Sequence, residues 1–287
     1  MTRRALVAKT YKLYLGGAFV RSESGRSDPT ADHAGGHVAN VPRGSRKDVR
    51  DAVKAARAGA ASWAAKTAYN RGQVLYRFAE ALESRSEEFA QAAVTQQGAD
   101  AGAARAEVGA AVDTLVHYAG WTDKLAVVMG GINPVAAPYL SFSSPEATGV
   151  VAVLAPDEPD LMGLVAEIAP ALAAGNAVVA VVSRRWPLRG LDLGEVAGVS
   201  DVPGGVLNLL TGRLDELLTP LCGHRDVNAI VDATGDRALA EKVDLLAADT
   251  VKRVLRPETR DGAIGTGALG RLEALTELKT AWHPVGT

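Results

Sequence analysis

The side chains best suited to chemistry are few and fall in short groups. Cys222 and His224 stand two positions apart in Leu221-Cys222-Gly223-His224, a spacing that suggests a thiolate beside an imidazole. The plainer reading is structural, because a free cysteine packs as a small hydrophobe, here at a helix end. Three carboxylates gather in Pro156-Asp157-Glu158-Pro159-Asp160. They offer oxygen ligands to a cation but have no His or Cys beside them, and as acids they otherwise belong on a solvated loop. Arg184 and Arg185 are adjacent and able to meet a phosphate. Asp236 opens a helical segment. The free amides of a helix start favour anions, and an endogenous carboxylate there competes with any phosphate.

Composition limits what these groups can serve. The 287 residues allow about two domains. With 31 Lys+Arg against 33 Asp+Glu the net charge is −2, so no broad positive field exists to bind nucleic acid. A hydrophobic content of 47% with 30 Gly and 13 Pro describes a folded chain rather than a disordered one. No apolar run reaches the ~18 residues of a membrane span, and Met1 to Lys9 lacks the apolar stretch of a secretory signal. Cys222 is the single cysteine, which excludes an internal disulfide and a multi-cysteine zinc site. A cytoplasmic setting is the expectation.

The elements that would position these groups follow from pattern. Tyr11 to Val20 alternates and turns on Gly16-Gly17, a short hairpin. Gly35-Gly36 and Pro42-Arg43-Gly44 mark loops. Ser45 with Asp48 forms a capping box before a helix whose buried stripe is Ala52, Val53, Ala56 and Ala60. Asn70, with Gln73 as its reciprocal partner, is expected to cap the next helix. A third runs from Ser86 to Gly98 and a fourth from Ala103 to Ala119. Residues 121–148, with Gly130-Gly131 and the alternating run Tyr139 to Ser143, read as extended or hairpin rather than helical.

From Gly149 strands alternate with helices. Val150 to Leu154 is continuously apolar, as strands of a parallel sheet are. A helix from about Leu161 to Ala174 stops at Gly175-Asn176 in a left-handed cap. Further strands are expected at Ala177–Val182, Val206–Leu210, Asn228–Val231 and from Lys252 to Val254. Asp236 caps a helix to about Ala248. This alternation predicts a doubly wound sheet.

The stretch Ile168-Ala169-Pro170-Ala171-Leu172-Ala173-Ala174-Gly175-Asn176-Ala177-Val178-Val179 resembles the IAPALAAGNxVV segment of aldehyde dehydrogenases. Gly149-Val150-Val151, Pro203-Gly204-Gly205-Val206-Leu207-Asn208, Thr211-Gly212, the opening hairpin and Tyr118-Ala119-Gly120-Trp121 fall at that family's spacing. The resemblance runs from about residue 11 to 254. It resumes in Leu275-Thr276-Glu277-Leu278-Lys279-Thr280-Ala281-Trp282, which is similar to the family's Y-T-x-x-K-T-V ending.

The resemblance implies a coenzyme-binding domain, and family chemistry that needs a Cys nucleophile, a Glu base and an oxyanion-binding Asn. Here the P-W-N-F-P run falls on Pro156 to Asp160, so Glu158 stands for the Asn. Loss of such a donor alone costs ~3 kcal/mol, and a carboxylate adds repulsion. The Cys lies in a segment this chain lacks, since only about 20 residues separate Val254 from the C-terminal match. After Lys252-Arg253-Val254 the E-L-G-G-K motif dissolves, with Pro257 at the Glu position and Glu258 beside it. For the K-P-x-E pair at the adenosine ribose, Val181 stands for Lys and Arg184 for Glu. In the turn facing the pyrophosphate, Asp232 to Asp236 replaces F-T-G-S-T. No catalytic residue is assigned, no metal is expected, and NAD or NADP binding is expected to be weak or absent.

The retained pieces are those of assembly. In aldehyde dehydrogenases a projecting hairpin and the C-terminal strand build an intersubunit sheet. Residues 138–149 and 275–284 resemble these, so Tyr139, Ser141, Phe142, Leu278, Lys279, Thr280 and Trp282 are expected at an interface; packing of the C-terminal run back on its own domain is the alternative. The expected fold is α/β, a Rossmann-like doubly wound parallel sheet with an N-terminal helical region and a small β oligomerisation appendage. Its parts are a hairpin and arm (1–44), helices (45–120), a linker and projecting hairpin (121–148), the Rossmann-like part (149–254), a replacement linker (255–270) and a C-terminal strand (271–287). The expected function is a non-catalytic scaffold or regulator, partnered by a full-length aldehyde dehydrogenase or by itself. A nucleotide-binding module with an altered pose is the alternative, and an active oxidoreductase comes last.

Overall fold

The computed structural model describes residues 9–257 and 268–285. Strands β1 (Leu13–Leu15) and β2 (Ala18–Val20) form the expected hairpin, with Gly16 and Gly17 at φ 62° and 84° in its turn. It is no free arm, because Tyr14 pairs antiparallel with Leu209 of the main sheet. Strands β3 (Ser27–Ala31) and β4 (His37–Pro42) make a two-stranded ribbon where only loops were expected; their polar, half-exposed residues hide the strand pattern.

Helix α1 (Arg46–Ala64) starts at Ser45, whose hydroxyl accepts from Asp48 N–H while the Asp48 carboxylate accepts from Ser45 N–H, the predicted capping box. Helix α2 (Ala68–Glu83) corrects the expectation at Asn70: Thr67 caps it, its hydroxyl accepting from Asn70 N–H at 3.2 Å. Helix α3 (Ser86–Gln97) ends at left-handed Gly98, and α4 (Ala101–Trp121) starts two residues earlier than expected because Asp100 supplies the cap. The span after Trp121 includes a short helix, α5 (Leu125–Met129), before β5 (Gly131–Asn133) and β6 (Tyr139–Ala147).

The Rossmann-like part follows as β7 (Val150–Leu154), α6 (Asp160–Ala173), β8 (Ala177–Val181), α7 (Pro187–Gly198), β9 (Leu207–Leu210), α8 (Leu214–Cys222), β10 (Ala229–Asp232), α9 (Arg237–Ala248) and β11 (Arg253–Leu255). The seven-stranded sheet has the order β11-β10-β7-β8-β9-β1-β2, parallel except for the edge hairpin. Helices α2, α4, α6 and α7 contribute to the core on one face, and α1, α8 and α9 to that on the other. All five β7 side chains are buried, Val150, Val151, Val153 and Leu154 each stabilising by roughly 1.5–3 kcal/mol. Gly205 (φ +87°) lets α1 approach the sheet, since a Cβ there would lie 2.3 Å from the Ala55 carbonyl oxygen.

Helix α10 (Ala268–Ala274) occupies the end of the expected linker and the start of the expected strand, and β12 (Thr276–Pro284) follows it. Strands β12, β6 and β5 form a separate antiparallel sheet. The C-terminal segment is tied to the main domain by Asn176, whose Nδ2 donates to the Leu275 carbonyl at 2.9 Å. Arg253 Nη1 donates to the carbonyls of Ala274 and Thr276 at 2.8 and 3.0 Å. Arg271 reaches Glu167 at 2.8 Å.

Burial pushes the Glu167 carboxyl up to about 7, against the opposing pull of Arg271. A carboxyl raised from its ordinary 4.5 contributes stability that is complete below the unfolded value and is lost as pH rises through the folded one. Against Glu167→Gln in urea titrations, the native chain should therefore lose on the order of 3 kcal/mol of relative stability between pH 4 and 8. A difference flat in pH contradicts this.

Candidate functional site

In a doubly wound sheet the crevice for a ligand lies beyond the carboxyl ends of the strands, where the winding reverses. Here that point is between β7 and β10. The loops that reach it follow β7 (Ala155 to Pro159), β8 (Val182 to Trp186) and β10 (Ala233 to Asp236), the segments whose side chains drew attention in the sequence.

The structure joins them by ion pairs. Arg184 lies beside Asp157, its Nη2 2.6 Å from Oδ2 and its backbone N–H donating to Oδ1 at 2.8 Å. Burial pushes the Asp157 carboxyl up, but the side-chain and backbone bonds from Arg184 outweigh it and leave the group below the usual carboxylate range. Arg185 reaches Glu158 Oε1 at 2.9 Å, and Trp186 Nε1 donates to the same oxygen at 3.0 Å. Arg184 also approaches Asp236, at 4.0 Å, so one guanidinium spans all three loops. Asp236 Oδ1 accepts from the N–H groups of Ala238 and Leu239 at 3.0 and 3.1 Å. The anion-binding start of α9 is thus filled by its own carboxylate.

Asp160 departs from expectation. It is buried rather than solvated, accepting from Arg189 Nε at 3.1 Å and Gln97 Nε2 at 2.8 Å. Arg189 Nη2 also donates to Glu107 at 2.7 Å and to Asp160. The three carboxylates of the 156–160 run therefore point to three different arginines, and no cluster that could hold a metal ion occurs among the described residues. Arg189 and Glu107 escaped the sequence reading. The sequence carries little signal for either, since Asp192 and Glu195 accompany Arg189 in α7 and leave no apolar stripe around it.

Cys222 closes α8, fully buried. Burial pushes its thiol up to about 12, with Asp232 adding to the shift and Lys252 opposing it. His224 is engaged elsewhere, its Nδ1 accepting from Asp226 N–H at 3.1 Å. Cys222 packs in the apolar cluster formed by α1, α8 and the sheet.

The residues present do not fit a nicotinamide dinucleotide. Val181 is buried in the core, Arg184 is held by Asp157, and Asp236 takes the amides a pyrophosphate would need. Glu258 lies outside the described residues. What does remain beside the crevice is a cleft of about 800 Å³ between α8 and α9 under the β3–β4 ribbon, with Leu218, Leu239 and Leu246 in its wall and Arg213 and Lys242 among its charged groups.

At the other end of the molecule, Tyr139, Phe142, Leu278 and Trp282 are exposed on the small sheet, as are Lys279 and Thr280. Ser141 is not available to a partner: it is 1% exposed and its hydroxyl accepts from Asn133. No helix among the described residues is long and apolar enough to cross a membrane.

The model of the aldehyde dehydrogenase family matches residues 19–256. Among solved structures, an aldehyde dehydrogenase of Bacillus cereus in complex with NAD+ is similar at 27% identity and a TM-score of 0.82, with 86% of this chain and 50% of that one covered. The HpcC protein of Thermus thermophilus is 30% identical, with a TM-score of 0.82 over 86% and 48% of the two chains. An indole-3-acetaldehyde dehydrogenase is 26% identical, with a TM-score of 0.82 over 88% and 59%. The chain spans about half the length of these relatives.

Proposed function

The chain belongs to the aldehyde dehydrogenase family, and from that premise we propose that it is a non-catalytic subunit, a scaffold or regulator that assembles with itself or with a full-length relative. One contrast supports this reading: the crevice is spanned by the chain's own ion pairs, while the small sheet leaves Leu278, Trp282 and Phe142 uncovered. Chemistry has been exchanged for internal pairing, and the surface for association is kept. The test is sedimentation of the full chain, alone and mixed with a full-length family member. A mass of two or more chains in either sample is expected, and a monomer in both sinks the proposal.

The cleft between α8 and α9 favours one second reading, a module that binds a nucleotide in an altered pose. That reading requires NAD or NADP to bind more tightly than millimolar.

A further inference from the structure

We propose that Glu167 of α6 and Arg271 of α10 form a pH-sensitive latch, which holds α10 on the main domain in acid and releases it as the solution turns alkaline. The latch lies apart from the crevice and does not depend on whether the chain assembles. Helix α10 has seven residues, Ala268–Ala274, well short of the ~12–15 that an isolated helix needs to persist in water. Its place therefore depends on what it docks against.

Three kinds of contact dock it. Leu272 and Leu275 are buried in the core cluster that α4 and α6 share. Two carbonyls at its end are held, Leu275 by Asn176 Nδ2 and Ala274 by Arg253 Nη1. Neither an amide nor a guanidinium titrates near neutral pH. The third contact does. Arg271 Nη1 donates to the Ala166 carbonyl at 2.9 Å and to Glu167 Oε1 at 2.8 Å. The two side chains are unequally placed, Glu167 being 8% exposed and Arg271 24%. The acid is thus sealed beneath the segment that carries the arginine. Among the described residues Arg271 is the one charge acting on Glu167, and α2, α4, α7, β7 and β8 bring none. Tyr118 of α4 is the other titratable group at the site. Burial pushes its phenol up to about 12, so it stays neutral.

The direction of the switch follows from desolvation. Taking a carboxylate out of water favours its neutral form, and one arginine that itself keeps contact with solvent offsets only part of that cost. With α10 docked, the Glu167 carboxyl therefore stands at about 7. Undocking admits water and returns it towards its ordinary 4.5. The docked state binds the proton more tightly, so docking is firmest below the undocked value and is lost progressively as pH rises through the docked one. Between pH 5.5 and 8 the equilibrium constant for undocking should rise about 25-fold.

Amide hydrogen exchange of the full chain at pH 5.5 and 8, corrected for intrinsic rates, separates local release from global unfolding. The amides of α10 should open more often than those of β7 at both pH values, with an opening constant that rises about 25-fold between them. In Glu167→Gln that rise should vanish. Arg271→Met should open α10 further at pH 8, where it leaves a buried charge unpaired, and far less at pH 5.5, where the acid is protonated. An arginine that only packs would cost the same at both. If Glu167→Gln does not fold, Arg271→Met decides alone. Three results overturn the latch: α10 amides that exchange only together with β7, a rise that persists in Glu167→Gln, or an Arg271→Met effect equal at the two pH values.

Discussion

Replacing Arg189 by methionine should cost about 3–5 kcal/mol in urea unfolding, the usual penalty for removing one member of a buried ion pair. Arg189 is 1% exposed, as is its partner Asp160, and Glu107 shares the guanidinium. Burial raises the Asp160 carboxyl even with Arg189 in place. Without the arginine it must either carry an uncompensated charge or take up a proton. The loss should therefore be larger at pH 8 than at pH 5, where protonation relieves it. Adding Asp160→Leu to Arg189→Met should recover part of the stability, because apolar replacement of both partners is often neutral or better. A loss below about 1 kcal/mol for the single change would contradict the buried cluster.

The second large effect concerns Cys222. A thiol moved from 9.0 up to about 12 presents about a thousandfold less thiolate at pH 8, and full burial adds a steric block. Labelling by an aromatic disulfide reagent should run at least about a thousandfold slower in the native chain than in urea. Cys222→Ala should leave every binding property unchanged. Native labelling at the unfolded rate would show an accessible nucleophile and reopen the question of turnover.

Much of the main domain could be read from the sequence because its signals are local. The unbroken apolar run Val150 to Leu154 became β7, buried at every position. Gly175 and Asp236 took their predicted roles at helix ends. Asn208 shows why the Gly-Gly-Val-Leu-Asn motif has its form: Nδ2 donates to the Val178 and Gly205 carbonyls, and Oδ1 accepts from Gly16 N–H. Helix α7 was not legible. Trp186 before it and Arg189, Gly190, Asp192 and Gly194 within it interrupt any apolar stripe; the structure buries Arg189 and Asp192 by pairing them with Asp160 and Lys9. The ribbon β3–β4 was missed for a related reason, since its strands are mostly polar.

At the crevice, the substitutions at Glu158 and Arg184 were visible, but their consequence was not. Read singly, the first is a lost oxyanion donor and the second a lost contact to a cofactor's ribose. Only the packing of loops separated by 27 residues brings Arg184 onto Asp157, and turns two losses into a closure. Asp160 went wrong in the same way: proximity in sequence suggested one acidic loop, and the fold sent one acid to the core.

The function proposed above carries the expectation that dinucleotide binding is weak or absent. Calorimetric titration of NAD and NADP into the full chain tests it most directly. The ion pairs Asp157–Arg184 and Glu158–Arg185 and the self-capped start of α9 predict no saturable binding up to millimolar ligand. A saturable isotherm in the micromolar range would contradict the account.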